Sequence, residues 1–222
     1  MAARPDGAGR PPAQGLADLA LPAGAALSTK DVIVAKAMEL FGRQGYRATT
    51  IAQIEAAAGL SAGAGGLYRH FRSKRAVLEE ALRRQAEQGR PLLAYLADPA
   101  ALAGRPPRER FLAVARAGLR RLAEERDINR LLLRDLAAFP ELLELVRAQE
   151  LSRVHEALTE WVRRESGDRD ADHAATAAVL MAAVSHYWTL ADVFGGRHPH
   201  VDEDRFLGAL ADLATGTSRP AP

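Results

Sequence analysis

The sequence predicts an all-α protein, with a small three-helix unit near its N-terminus and a larger helical region behind it. Three observations lead there. Apolar residues recur at three- and four-residue spacing through most of the chain beyond Ser28. Glycine and proline breakers fall between those segments, and no stretch alternates with the two-residue period of a strand. At 222 residues, 48% hydrophobic and 26% charged, the chain can bury a substantial core and has the balance of an ordinary globular protein. No internal repeat is present. No run reaches about 18 uninterrupted apolar residues, so no membrane-spanning helix is expected, and the N-terminus lacks the basic-then-apolar order of a signal peptide. The absence of cysteine excludes disulfides and thiolate-bound metals and fits a cytoplasmic address.

Residues 1–27 are rich in Pro, Gly and Ala and read as a disordered arm, inert unless Arg4 and Arg10 reach nucleic acid. In KDVIVAKAMELFGRQGY, a first helix puts Ile33, Ala37, Leu40 and Phe41 on one face. Ser28 or Thr29 caps it and Gly45 stops it. Thr50 and Gln53 have capping-box spacing at the start of a short second helix that Gly59 ends. Ser61 is placed to cap a third helix and Ser73 a fourth, running to about Gly89. Helix, helix, tight turn, helix within so few residues is a helix-turn-helix unit. Beyond Pro91 the spacing predicts helices from about Pro107 to Glu125, over DINRLLLRDLAAF, from Pro140 through Trp161 to about Glu165, over ADHAATAAVLMAAVSHYWTLADVF, and over about 202–213.

Charge is unevenly distributed. Ser28 to Arg90 carries a net +5 and the remainder from Pro91 a net −3, within a total of +2. A basic N-terminal third implies that this end meets something anionic.

The segment AMELFGRQGYRATTIAQIEAAAGLSAGAGGLYRHFRSKRAVLEEAL resembles the DNA-binding region of the TetR family of bacterial transcriptional regulators. The matching residues are Leu40-Phe41, Gly45-Tyr46, Thr49-Thr50-Ile51, Ile54, Ala58-Gly59-Leu60-Ser61, Leu67-Tyr68, Phe71 and Ser73-Lys74. One departure stands out: five residues, AGAGG, separate Ser61 from Leu67-Tyr68, where the family pattern has three. The resemblance implies a disordered arm at 1–27, a DNA-binding domain at 28–73, a connecting helix at 74–90, an effector-binding and dimerisation domain at 91–216 and a tail at 217–222. It further implies a ligand-responsive regulator, by family habit a repressor, that binds a palindromic operator as a homodimer through its last two helices. Such a protein would be cytoplasmic and nucleoid-associated, with no membrane partner, no enzymatic activity and no cofactor.

If residues 61–72 are one helix, a wheel at about 100° per residue puts Leu67, Phe71 and Ala64 on the inward side. Arg69, Gly65 and Ala62 then face away, flanked by Tyr68 and Arg72 on one side and Gly66 and His70 on the other. A face this bare can enter a major groove deeply. Arg69 suits a guanine edge, and Ala62 and Ala64 suit thymine methyls. Tyr68 suits a phosphate, as the resemblance implies, or is a half-buried packing ring. Lys74, at a helix start, and Arg47, Thr49 and Thr50, at another, suit phosphates. The threonines also fit ordinary capping.

For a small apolar or aromatic effector, the expected lining is Phe111, Leu132, Phe139, Trp161, Met181, His186 and Tyr187. Two rivals stay open. One is a TetR-like interaction module that has lost sequence-specific DNA binding, since the longer glycine turn can misplace Arg69. The other is a metal-dependent helical enzyme using His155, His173, His186, His198 and His200. No Glu-x-x-His pair supports the latter, and no metal site is expected.

Overall fold

This computed structural model describes residues 27–217 except Ala62, Ala64 and Gly89. The predicted 1–27 arm lies outside the described residues up to Ala26, as does most of the 217–222 tail. The Ser28 hydroxyl accepts the Asp31 N–H while the Asp31 carboxylate accepts the Ser28 N–H, a complete capping box. Helix α1 (Thr29–Gln44) follows, burying Ile33, Val34, Ala37, Leu40 and Phe41, and Gly45 ends it at a φ of 96°. Thr50 and Gln53 form the second capping box and open α2 (Ile51–Ala57). Gly59, at a φ of 72°, turns the chain out of it.

The third helical element is shorter than the spacing predicts. Leu67–Arg69 is a single 3-10 turn, and no helix starts at Ser61. Gly63 and Gly65 adopt φ of 76° and 73°, a left-handed conformation that cannot be part of a right-handed helix. Helix α3 (Lys74–Gln88) then starts under Ser73, whose hydroxyl accepts the Ala76 N–H.

Helices α4 (Arg90–Ala97), α5 (Pro107–Glu124), α6 (Arg126–Arg134), α7 (Pro140–Val146), α8 (Ser152–Glu165), α9 (His173–Val193) and α10 (Glu203–Thr215) build the rest. The helix expected from Pro140 to Glu165 is interrupted by one π-helical turn at Arg147–Leu151. Among the described residues there is no strand.

The N-terminal helix-turn-helix unit, the candidate reading unit, does not close its own core. Ile128 and Leu131 of α6 and Leu142 of α7 complete the cluster built on Ile33, Phe41, Ile54, Leu67 and Leu78. Helix α6 lies directly on α1, so closely that a β-carbon at Gly42 would sit 2.6 Å from Asp127 Cβ and 2.7 Å from Asp127 Cα. Burial raises the Asp127 carboxyl above its ordinary pKa. Arg134 donates to the carbonyls of Phe41 and Gly42, and Asp135 accepts the Tyr46 N–H. Two further clusters fill the larger region, one around Leu96, Phe111, Trp161 and Ala177, the other around Leu119, Tyr187, Trp188 and Leu207.

Candidate nucleic-acid interface and effector cavity

Between α2 and α3 the chain must present side chains outward while staying attached to the core. Leu67 (0% exposed) and Phe71 are the anchors, inserted among α1, α2 and α3. Between them the 3-10 turn is closed by Tyr68 N–H to Gly65 O, Arg69 N–H to Gly66 O and His70 N–H to Leu67 O. A turn pinned at both ends by buried apolar side chains projects what lies between. Tyr68 is 57% exposed, and Arg69, His70 and Arg72 are exposed beside it. None of these four side chains pairs with another described residue. Arg47 and Thr50 are also exposed, at the start of α2. An aromatic hydroxyl, two guanidinium groups and an imidazole held outward on a short turn suit phosphate and base-edge contact.

Several predicted site residues do other work. Thr49 is 1% exposed; its hydroxyl donates to Gly45 O at 2.7 Å and accepts from Gln44 at 3.2 Å, so it braces the α1–α2 turn and does not face a phosphate. Lys74 Nζ donates to the carbonyls of Tyr46 (2.7 Å) and Thr49 (2.6 Å) and sits 4.3 Å from the centre of the Tyr46 ring. Burial pulls its pKa below the ordinary lysine value. Its ammonium is therefore mainly a clamp on the turn, with one N–H left over. Gly66 faces inward: a β-carbon there would lie 3.4 Å from Leu60 and 3.8 Å from Glu55. Gly65 is required by its φ, and a side chain there would touch Tyr68. Ala62 and Ala64 lie outside the described residues.

A cavity of about 280 Å³ runs between α5, α6, α8 and α9. Of the predicted lining, Phe111, Leu132, Trp161 and Met181 are on its wall, and the Phe111 and Trp161 rings meet edge to face at 4.8 Å. The other three are not. Phe139 packs on Tyr46 at 4.9 Å, fastening the reading unit to the α6–α7 corner. His186 points to solvent. Tyr187 is stacked between Phe206 (4.2 Å) and His198 (5.1 Å), and its hydroxyl donates to Val201 O. The rest of the wall is mainly aliphatic, including Leu92, Leu96, Val114 and Leu158, with polar side chains at Arg121, Glu125, Asn129 and Ser185. Arg121 and Glu125 are ion-paired at 2.8 Å, a charged feature that the sequence reading does not include.

The histidines weighed for a metal are spread through the fold. His155 bonds to Ala174 O, His173 to Asp168 O, and His198 accepts from the backbone of its own loop. Among the described residues no group of three His, Cys, Asp or Glu could hold an ion.

An all-helical chain with a pinned basic turn at one end and an apolar cavity at the other is, by class, a helix-turn-helix regulator. Residues 33–81 match the family of bacterial regulatory proteins, tetR family. That match covers the N-terminal helix-turn-helix unit, and solved structures similar to most of the chain are transcriptional regulators. Solved structures agree in fold. A TetR transcriptional regulator from Chloroflexus aurantiacus superposes with a TM-score of 0.64 at 26% identity, covering 84% of this chain and 92% of that one. A TetR-like regulator from Rhodococcus gives 0.64 at 20% identity, with 84% and 93% covered. The regulator FadR from Bacillus subtilis, solved with stearoyl-CoA, gives 0.62 at 14% identity, with 85% and 98% covered. No curated protein matches the chain.

Proposed function

We propose that this regulator is a homodimeric repressor that binds a palindromic operator and leaves it when an apolar molecule fills its cavity. The observation that carries this is the joining, through α6, of an outward basic-aromatic turn to an apolar cavity. DNA contact falls to Tyr68, Arg69, His70, Arg47 and Thr50, with Lys74 contributing its remaining N–H. The cavity favours a ligand with an apolar body and a polar group seated near Arg121, Glu125 and Asn129. The stearoyl-CoA bound by the Bacillus subtilis FadR supports an acyl compound as the first class to try.

Helices α9 and α10 support the dimer reading. Helix α9 is long and apolar enough by composition to cross a membrane, yet only 22% of its most apolar window is buried. Thr176, Ser185, His186 and Asp192 interrupt its apolar run, and it packs on α5 and α8. Its uncovered face carries Ala175, Ala178, Val179 and Ala182, beside Leu213 of α10. Small residues there allow close approach by a second copy. Two reading turns in such a dimer would stand about 34–36 Å apart, one turn of DNA. The expected address is cytoplasmic.

An electrophoretic shift on a duplex selected from a randomised pool, repeated with stearoyl-CoA, tests the reading. Sequence-preferring binding that stearoyl-CoA reverses is expected. Loss of all sequence preference at low salt would leave the interaction-module alternative.

A further inference from the structure

Glu55 is the one buried acid among the described residues that no function yet explains. It lies in α2, 0% exposed, on the side of the helix facing the core. No arginine, lysine or histidine among the described residues pairs with it. Burying a carboxylate costs stability unless hydrogen bonds replace water, so an apolar residue here would serve the core at least as well. The beneficiary is the loop that follows. Glu55 Oε2 accepts the Gly63 N–H at 2.7 Å, and Oε1 accepts the Leu67 N–H at 2.9 Å. The Glu55 backbone carbonyl accepts the Leu60 N–H at 2.8 Å. One residue thus holds the loop at its entrance, its middle and its exit.

The neighbouring glycines fit the same device. Gly63 turns left-handed to aim its N–H inward. Gly66, the residue before the 3-10 turn, offers no capping side chain, so the Leu67 N–H is capped from α2 instead. A β-carbon at Gly66 would crowd Leu60 and approach the carboxylate.

We propose that Glu55 is a positioning residue for DNA recognition: its carboxylate ties Gly63 and Leu67 to α2 and thereby fixes the direction in which Tyr68, Arg69 and His70 project. This rests on the reading of Tyr68, Arg69 and His70 as DNA contacts. The loop takes the place of the first turns of a recognition helix, and Glu55 supplies the rigidity that helical hydrogen bonds would otherwise give.

The full-length chain is compared with Glu55→Gln and Gly63→Ala on two duplexes, one selected from a randomised pool by the wild type and one of scrambled sequence. Glu55→Gln keeps the volume but turns an NH2 group toward one of the two backbone donors. Gly63→Ala strains the loop from outside, where a β-carbon meets nothing within 4 Å. Both variants are expected to weaken the selected duplex on the order of tenfold, as loss of a charge-assisted hydrogen bond does. The scrambled duplex, held by phosphates, should change by no more than about twofold. In Glu55→Gln the Gly63 and Leu67 amides should exchange with solvent faster, while Trp161 and Trp188 emission reports an unchanged fold. An unchanged ratio of selected to scrambled affinity in both variants overturns the proposal, and so does equal weakening on both duplexes by Glu55→Gln. If the wild type selects no sequence, the DNA reading fails instead, and unchanged amide exchange in Glu55→Gln then refutes the clamp separately.

Discussion

Gly42 sits where the reading unit meets the rest of the molecule, and its replacement tests that junction directly. In Gly42→Ala the new methyl would stand 2.7 Å from Asp127 Cα and 2.6 Å from Asp127 Cβ, whereas carbon atoms rest at about 3.5–4.0 Å. The nearest obstacles include backbone, which no rotamer change removes. Helices α1 and α6 must therefore part by roughly 1 Å, straining the bonds from Arg134 to the Phe41 and Gly42 carbonyls. Overpacking of this kind costs about 1–3 kcal/mol, against a gain of about 1 kcal/mol from alanine's helix propensity. The net is a destabilisation of up to about 2 kcal/mol, or as much as roughly 8 °C in Tm for a chain of this size. Gly118→Ala on α5 is the internal control. Its β-carbon would meet only Val184 Cγ1, at 3.4 Å, the end of a side chain. There the propensity gain of about 1 kcal/mol should leave Tm unchanged or raised. Thermal unfolding followed by circular dichroism reads both. A Gly42→Ala protein as stable as Gly118→Ala would refute the close seating of α1 on α6.

Other outcomes follow from the same geometry. Thr49→Val should destabilise by about 1–2 kcal/mol in thermal unfolding, because the Gly45 carbonyl loses its buried donor; Thr49→Ser should recover most of it. Glu80, held by Arg83, Arg84 and Lys30, has its pKa lowered from 4.5 to about 2. A depressed carboxylate stabilises the fold above its unfolded pKa and stops doing so as pH falls through the folded one. Glu80→Gln should thus lower Tm at neutral pH, with the gap to wild type closing between about pH 4.5 and 2. Arg69→Ala should cost about 1–3 kcal/mol on a selected duplex and little on a scrambled one; equal loss on both would assign Arg69 to the backbone. Lys74→Ala should lower Tm as well as DNA affinity, since its ammonium bridges the Tyr46 and Thr49 carbonyls. A salt slope unchanged from wild type would leave Lys74 with the clamp alone.

What was legible in the sequence was what local chemistry decides. Ser28 with Asp31 and Thr50 with Gln53 are capping boxes by spacing alone, and both form. Leu67 and Phe71 are four residues apart and both become buried, because one helical turn suffices to align them. The wheel drawn through Ser61–Arg72 goes wrong where glycine takes over. A wheel assumes right-handed φ throughout, and Gly63 and Gly65 break that assumption in a way composition hints at but spacing cannot reveal. Glu55 escaped for a different reason. An acid in a short helix reads as a solvent-facing residue, and its two amide partners, eight and twelve positions along the chain, are set only by the loop's fold. The signal that could have found it is its place beside Ile54, on the buried side of the helix. Phe139 and Tyr187 show the limit for the cavity. Aromatic residues in the helical region are all plausible lining by type, and only packing sends one to Tyr46 and the other to Phe206.

The proposed release on ligand binding needs a part that touches both sites, and α6 is short enough to be that part. Ile128, Asn129 and Leu132 stand on the cavity wall. Asp127 is packed under Gly42, and Arg134 holds the last carbonyls of α1. Arg126 and Arg130 both pair with Asp192 near the end of α9, tying the same nine-residue helix to the helix proposed for the dimer. A helix fixed on three sides cannot yield to a ligand by bending, since its hydrogen bonds resist and its neighbours are close-packed. It can only shift as a body, and a shift away from the cavity pushes on the end of α1. That end leads through Gly45 and Tyr46, whose N–H is held by Asp135, into the Thr49–Thr50 entry of α2. The reading turn hangs from α2 through Glu55, so its aim follows α2. Ligand occupancy and DNA affinity are then linked through one rigid element, and linkage is reciprocal. A selected duplex should therefore weaken the binding of stearoyl-CoA by the same factor that stearoyl-CoA weakens the duplex. Gly42→Ala, which already forces α1 and α6 apart, should reduce that common factor on both sides; a factor unchanged in the variant would remove α6 from the route.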